Sequence, residues 1–289
     1  MRKTKKQTKM KLDYTVTPDF EGRSLGEFLK NCKLSRRLII ALKRTPDGMM
    51  INGESAKTIY LLKRGDRVSV TLPDDSTQIE PNSELRVPIL FEDEHIIIFN
   101  KPAQMPCHPS IKHRTDTLAN YFAYLYPDKT FRCINRLDRD TSGLCICAKD
   151  SFSANALSGK VEKTYFAAVS GLVSQSGTVD APIARERESI ITRCVRSDGQ
   201  RAVTHYRPIA RTDSHTLLEI RLETGRTHQI RVHMAHILHP LSGDSLYGGD
   251  SKMQRQALHC ARLEFIHPIS NEKITVECPI AEDIMGLFG

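Results

Sequence analysis

The sequence predicts an α+β protein: a mixed, mainly antiparallel β-sheet body with flanking helices, preceded by a small αα-β domain. Three observations lead to this. Strand-like runs outnumber helical ones over the last two thirds of the chain, without a regular βαβ alternation. Two helical patterns and an Asn-Gly hairpin signal come before them. The formal net charge of +8 sits wholly in the first quarter of the chain. Residues 1–15 hold six Lys/Arg against one acidic residue, residues 16–75 hold eleven against eight, and the rest holds twenty-five of each. A basic arm (1–15) and module (16–75), joined by a linker (76–88) to a neutral body (89–289), suggest a handle for a polyanion.

The elements follow in order. In "GRSLGEFLKNC", Leu25, Phe28 and Leu29 have helical spacing. Ser35 is an N-cap for a second helix, "RRLIIALKR", with Leu38, Ile39 and Leu42 on one face and Arg36, Arg37, Lys43 and Arg44 as its basic residues. Asn52-Gly53 marks a tight hairpin, and Val68 and Val70 alternate in a following strand. The polar, proline-containing "PDDSTQIEPNSELRVP" reads as the linker. "ILFEDEHIIIFNKPA" reads as a strand pair, and "DTLANYFAYLYP" as a short helix stopped by Pro127. Further strands are expected at "GLCICAK", "KTYFAAVSG", "VTHYRPIAR", "TLLEIRLET" and "ITVECP". Helices are expected at "SFSANALSGK" and after Thr227, with Thr227 as the cap.

Several function classes fall away. At 39% hydrophobic and 26% charged residues, the composition is that of an ordinary globular protein. No apolar run approaches the roughly 20 residues of a membrane span, and no apolar segment follows the basic N-terminus as in a secretory signal. Eight cysteines without C-x-x-C spacing suggest reduced thiols and a cytoplasmic location. His228, His233, His236 and His239 cluster, but no H-E-x-x-H or nearby cysteine or carboxylate pair completes a metal site, so that segment is expected to pack a core. Phosphate-loop, dinucleotide and G-x-S-x-G motifs are absent.

The segment "INRLDRDTSGLCICAK" places Arg136, Asp138, Arg139 and Asp140 directly before a buried-strand pattern. Asp138 and Asp140 stand two apart in one loop, which rarely frames a sugar ring as a glycosidase pair must. An arginine neighbour favours the charged form of a carboxylate, which suits a single ionised nucleophile or base better than a protonated acid.

Together with "EKTYFAAVSG", "LETGRTHQIRVHMAHILHPLSGDSLYGG" and "RQALHCARLEFIHP", this segment resembles the RluA family of RNA pseudouridine synthases over roughly residues 85 to 280. The first module is similar to the alpha-L RNA-binding module of a small-subunit ribosomal protein. The resemblance implies a pseudouridine-synthase-like body that isomerises uridine in structured RNA, ribosomal or transfer RNA, with no metal or organic cofactor. It makes Asp138 the nucleophile or base and Arg226 the arginine held against it. Arg136 would fill the space left by the flipped uridine, Tyr165 would stack on the base, and Leu258 would close the pocket. Two positions depart from the pattern: Asn135, where histidine is common, and Gln104, where glycine is usual. Both are expected to line the RNA groove and affect substrate choice. Thr141, Ser142 and Gly143 are expected to form the turn that orients Asp138. RNA is the expected partner, with no membrane, no obligate protein partner and a monomeric state. The competing reading is an RNA-binding or assembly factor on the same fold without catalysis; the joint presence of Arg136, Asp138, Tyr165 and Arg226 argues against it.

Overall fold

The computed structural model describes residues 11–72, 79–186 and 191–289. Most of the expected basic arm, residues 1–10, lies outside these, as do residues 73–75 at the end of the expected module and 76–78 of the expected linker. The first unit contains β1 (Lys11–Thr15), α1 (Leu25–Asn31), α2 (Arg36–Leu42), β2 (Met49–Ile51), β3 (Glu54–Ser55) and β4 (Arg67–Thr71). Its four strands form one sheet in the order β1-β4-β2-β3.

The local sequence explains this unit. Ser24 and Glu27 form a reciprocal capping box that starts α1, and the Ser35 hydroxyl accepts from the Leu38 N–H to start α2. Leu25, Phe28, Leu29, Leu38, Ile39 and Leu42 all face the core. Asn52 and Gly53 both have positive φ (53° and 90°), as a two-residue hairpin turn between β2 and β3 requires. The arm boundary is corrected: Lys11–Thr15 is a strand paired with Arg67–Thr71, not part of a free tail. Alternation of Leu12, Tyr14 and Val16 directs it, and the surrounding lysines hide that alternation.

The body follows as β5 (Ile89–Glu92), β6 (Ile96–Lys101), α3 (Leu118–Leu125), β7 (Arg132–Cys133), β8 (Ser142–Ala148), α4 (Ser151–Leu157), β9 (Glu162–Ser170) and β10 (Gly177–Asp180). Then come β11 (Ile183–Arg185), β12 (Arg193–Val195), β13 (Val203–Arg211), β14 (His215–Leu222), α5 (Gln229–His236), β15 (Leu258–Ile266), β16 (Lys273–Glu277) and α6 (Glu282–Met285). Ten strands form one sheet, ordered β10-β13-β14-β9-β15-β8-β6-β5, with β16 against β15 and β7 against β8. Strands β11 and β12 pair separately. The expected linker is also corrected in part, because residues 79–88 lie against the body. Val87 is buried, the Asn82 N–H donates to Asn120 O, and Asn120 Nδ2 donates to Glu80 O. Helix α4 joins the two units: Phe152 packs in the core of the first, and Asn155 donates to the Lys33 carbonyl.

The seam between β8 and β15 positions the site. It is the one parallel pairing recorded among the described strands, at His259↔Ser142 and Cys260↔Gly143. Every residue of β8 is buried, which is why "SGLCICA" reads as a continuous small and apolar run rather than an alternation. Gly143 has φ of +107°, and a Cβ there would stand 2.2 Å from the Cys260 carbonyl oxygen. Only glycine fits at this turn into the strand. The loop that precedes it is therefore delivered at the centre of the sheet. No helix among the described residues is long and apolar enough to cross a membrane.

Candidate active site

The loop from Asn135 to Thr141 is fastened along its length. Asn135 is buried; its Nδ2 donates to Leu144 O (2.9 Å) and its Oδ1 accepts from the Ile146 N–H (2.8 Å). The Lys101 ammonium is fully buried and donates to Pro102 O, Met105 O and Arg139 O. Burial lowers its pKa. The Thr141 N–H donates to Asp138 O, and Arg255 donates to Asp140 O. Asp140 is engaged by a bidentate ion pair with Arg139, so the second carboxylate of the motif is occupied locally.

Asp138 is different. Its side chain is 29% exposed, and its Oδ2 lies 3.2 Å from Arg231 Nη1 and 3.8 Å from His228 Nε2. Arg231 projects from α5 and is itself held by Asp244, with Nε to Oδ2 at 2.7 Å and Nη2 to Oδ1 at 2.8 Å. Its guanidinium also lies over the Tyr247 ring, 5.0 Å from the centroid. Burial pulls the pKa of Arg231 down, but the hydrogen bond and charge of Asp244, then Asp138, outweigh it and raise the pKa above its ordinary value. His228 has a left-handed backbone (φ 58°), which turns its ring back toward the loop, and Nδ1 lies 2.8 Å from Tyr247 Oη. Burial is the main cause of its lowered pKa, so it faces Asp138 as a neutral imidazole at pH 7.

Tyr165 on β9, Leu258 on β15 and Arg136 surround Asp138 in one pocket, with Arg226 at its edge. Tyr165 and Leu258 are buried, Arg136 and Arg226 exposed. Burial raises the Tyr165 phenol well above its ordinary pKa and keeps it neutral. The pocket opens into a groove of about 900 Å³, at the upper end for a ligand cleft.

Three expectations are corrected. Arg226 is not the arginine on Asp138: its Nε donates to Arg201 O at 3.0 Å and its N–H to Gln229 Oε1. Arg231 takes that place from the first turn of α5, which starts at Gln229, one residue later than a Thr227 cap would set it. Thr227 does not cap α5; the buried Gln229 side chain reaches back to the Arg226 N–H and Thr224, while donating to Val203 O and Thr204 Oγ1. Asn135 borders the groove, but both of its amide ends are engaged with the β8 backbone, so it shapes the loop rather than reading RNA. Gln104 takes a φ of 63°, the left-handed conformation that suits the glycine usual in the resembled pattern. Sequence reasoning missed Arg231, His228, Tyr247 and Asp244. The available signal was an arginine inside the apolar helical pattern around Ile230 and Met234, since a buried guanidinium needs an acidic partner.

The chain is similar to known proteins over most of its length. The family model described as RNA pseudouridylate synthase matches residues 95–236. An uncharacterised RNA pseudouridine synthase of Bacillus subtilis (strain 168), YjbO, is 40% identical over 92% of this chain and 98% of its own. The ribosomal large subunit pseudouridine synthase D of Xanthomonas campestris is 38% identical over 94% of this chain and 85% of its own. Among solved structures, human RNA pseudouridylate synthase domain containing 1 matches with a TM-score of 0.57 and 26% identity, covering 69% of this chain and 86% of that one.

The seam beneath the loop also titrates. His259 is buried, its Nδ1 2.9 Å from Ser142 Oγ and its Nε2 3.2 Å from Cys278 Sγ. Burial, then Arg255, lowers its pKa from 6.5 to about 4. Between those values the unfolded chain binds the proton and the folded one does not. This stability is full above pH 6.5 and lost as the pH falls toward about 4, amounting to about 3 kcal/mol. Urea midpoints measured across that range should fall more steeply for the wild type than for His259→Gln, and parallel slopes would contradict the assignment.

Proposed function

The chain belongs to the RNA pseudouridine synthase family, and from that premise we propose that Asp138 is its catalytic carboxylate and that the target lies in large-subunit ribosomal RNA. The observation behind the catalytic reading is the Arg231–Asp138 contact at the mouth of the Tyr165 and Leu258 pocket. The isomerisation breaks the N1–C1′ bond of uridine, joins C5 to C1′, and moves one proton from C5 to N1. Nothing is oxidised or reduced and no group is lost, so the balance requires no cofactor. One carboxylate suffices, either attacking C1′ or removing a proton at C2′, provided it is ionised and oriented. Arg231 supplies the orientation, as a preorganised donor 3.2 Å from Oδ2 and aimed at the charge.

A stacked, paired uridine cannot reach Asp138 below the groove, so the base must leave its stack at a cost of a few kcal/mol. Exposed Arg136, beside Asp138, suits the role of filling the gap in the RNA. Tyr165 offers a neutral ring for stacking, and Leu258 an apolar wall. Arg226 at the edge is a phosphate-binding group in this reading. The substrate class rests on similarity to relatives named as ribosomal large subunit pseudouridine synthase D, at 37–39% identity over most of the chain in three bacteria. The first unit serves as the RNA handle, with Arg36, Arg37, Lys43 and Arg44 exposed in or just after α2.

Large-subunit ribosomal RNA from a deletion strain and an Asp138→Ala strain, mapped by carbodiimide-adduct primer extension, should lack the same pseudouridines. Retention in Asp138→Ala alone would overturn the catalytic role; retention in both would favour an assembly factor without catalysis. Replacing Arg36, Arg37, Lys43 and Arg44 by alanine should reduce the slope of log K against log salt by up to about 3 to 4, from about 0.7–0.9 per phosphate contact. An unchanged slope would remove the first unit as the handle.

A further inference from the structure

The fold gathers thiols that the chain keeps apart. Cys107 comes from the segment after β6, Cys133 from β7 and Cys145 from β8. The Cys133 and Cys145 sulfurs are 3.4 Å apart, those of Cys107 and Cys145 are 4.0 Å apart, and all three lie within 4.8 Å of one another. Thiolates bound at about 2.3 Å around a tetrahedral zinc ion stand about 3.8 Å apart. The three sulfurs need only shifts of under about an ångström to reach that spacing. Cys147 lies two residues along the same face of β8, opposite Cys133 in register, and offers a fourth sulfur.

We propose that Cys107, Cys133 and Cys145 form a binding site for one divalent thiophilic cation, of the zinc class, directly beneath the loop that bears Asp138. Charge favours a divalent ion over a monovalent one. The Lys101 ammonium is fully buried and interacts electrostatically with Cys107 and Cys145. Three thiolates, one divalent cation and that ammonium are neutral together, whereas a monovalent ion would leave a buried negative charge. Each thiol gives up its proton to the solvent as a metal–sulfur bond forms, so affinity rises with pH.

The site is coupled to the loop through hydrogen bonds. Cys133 and Cys145 each donate S–H to Asn135 O (3.3 and 3.4 Å), and Cys107 donates to Leu137 O (3.3 Å) while accepting from the Leu137 N–H (3.4 Å). A metal ion removes all three S–H donors at once. Asn135 O and Leu137 O then lose their thiol partners, and the backbone one residue before Asp138 shifts. Occupancy therefore lowers the isomerisation rate, and the metal-free protein is the active form. This second consequence rests on the catalytic reading of Asp138; the binding does not.

The test titrates the full-length reduced protein with Zn2+ in competition with a chromogenic chelator, then with Cd2+ while following sulfur-to-cadmium charge-transfer absorption. One ion per chain is expected. Uptake should be lost in both Cys107→Ala and Cys145→Ala, and kept in Cys32→Ala and Cys194→Ala, whose cysteines are partly exposed and lie outside the cluster. No uptake, uptake without thiolate absorption, or uptake that survives both cluster variants overturns the site. Pseudouridine formation should fall on loading and return with a chelator. Unchanged formation with one ion bound overturns the coupling to the loop and leaves the binding site standing.

Discussion

Arg231 lies between two carboxylates, and most of the site's organisation follows from that. A guanidinium buried in an α-helix costs several kcal/mol of lost hydration unless acidic groups compensate it. Asp244, itself 1% exposed, does so with two short hydrogen bonds. That pairing fixes the plane of the guanidinium and leaves Nη1 directed at Asp138. The ring of Tyr247 covers the cation on one side and holds His228 through its hydroxyl. The result is one solvent-facing carboxylate with an oriented cation behind it and a neutral imidazole beside it.

Such an ion pair orients Asp138 only if the loop stays put. Its own Asn135 amide ties it to β8, and the Lys101 ammonium, the Cys107 thiol and Arg255, from three other parts of the chain, tie its backbone. The parallel seam of β8 and β15 then fixes where the loop enters the sheet, and Gly143 is what lets the two backbones approach there. The loop is short and irregular, yet the carbonyls of Asn135, Leu137, Asp138, Arg139 and Asp140 all accept hydrogen bonds, as expected of a preorganised site.

Much of the fold was legible because its signals are local. The Ser35 cap, the Asn52-Gly53 turn, the apolar faces of α1 and α2 and the short helix α3 depend on residues a few positions apart, and each appears where the spacing puts it. The Asp138 loop was legible as a charged turn before a buried strand. What stayed hidden depends on long-range contact. Arg226 and Arg231 both sit in one motif, and only the start of α5 at Gln229 decides which reaches the loop. Asp244 reads as turn composition until Arg231 is placed against it. Asn135 looked like a groove residue because nothing in the sequence shows that its amide closes on Leu144 and Ile146, nine and eleven positions on.

The most direct test of this account compares Arg231→Gln with Arg226→Gln in single-turnover pseudouridine formation at saturating enzyme, with Arg231→Lys as a control that keeps the charge. Loss of an oriented donor at a charged centre slows chemistry by about 100-fold or more. The account predicts that loss for Arg231→Gln with RNA binding retained, partial recovery in Arg231→Lys, and a change in RNA affinity rather than rate for Arg226→Gln. A near-normal rate in Arg231→Gln together with a large loss in Arg226→Gln would contradict it.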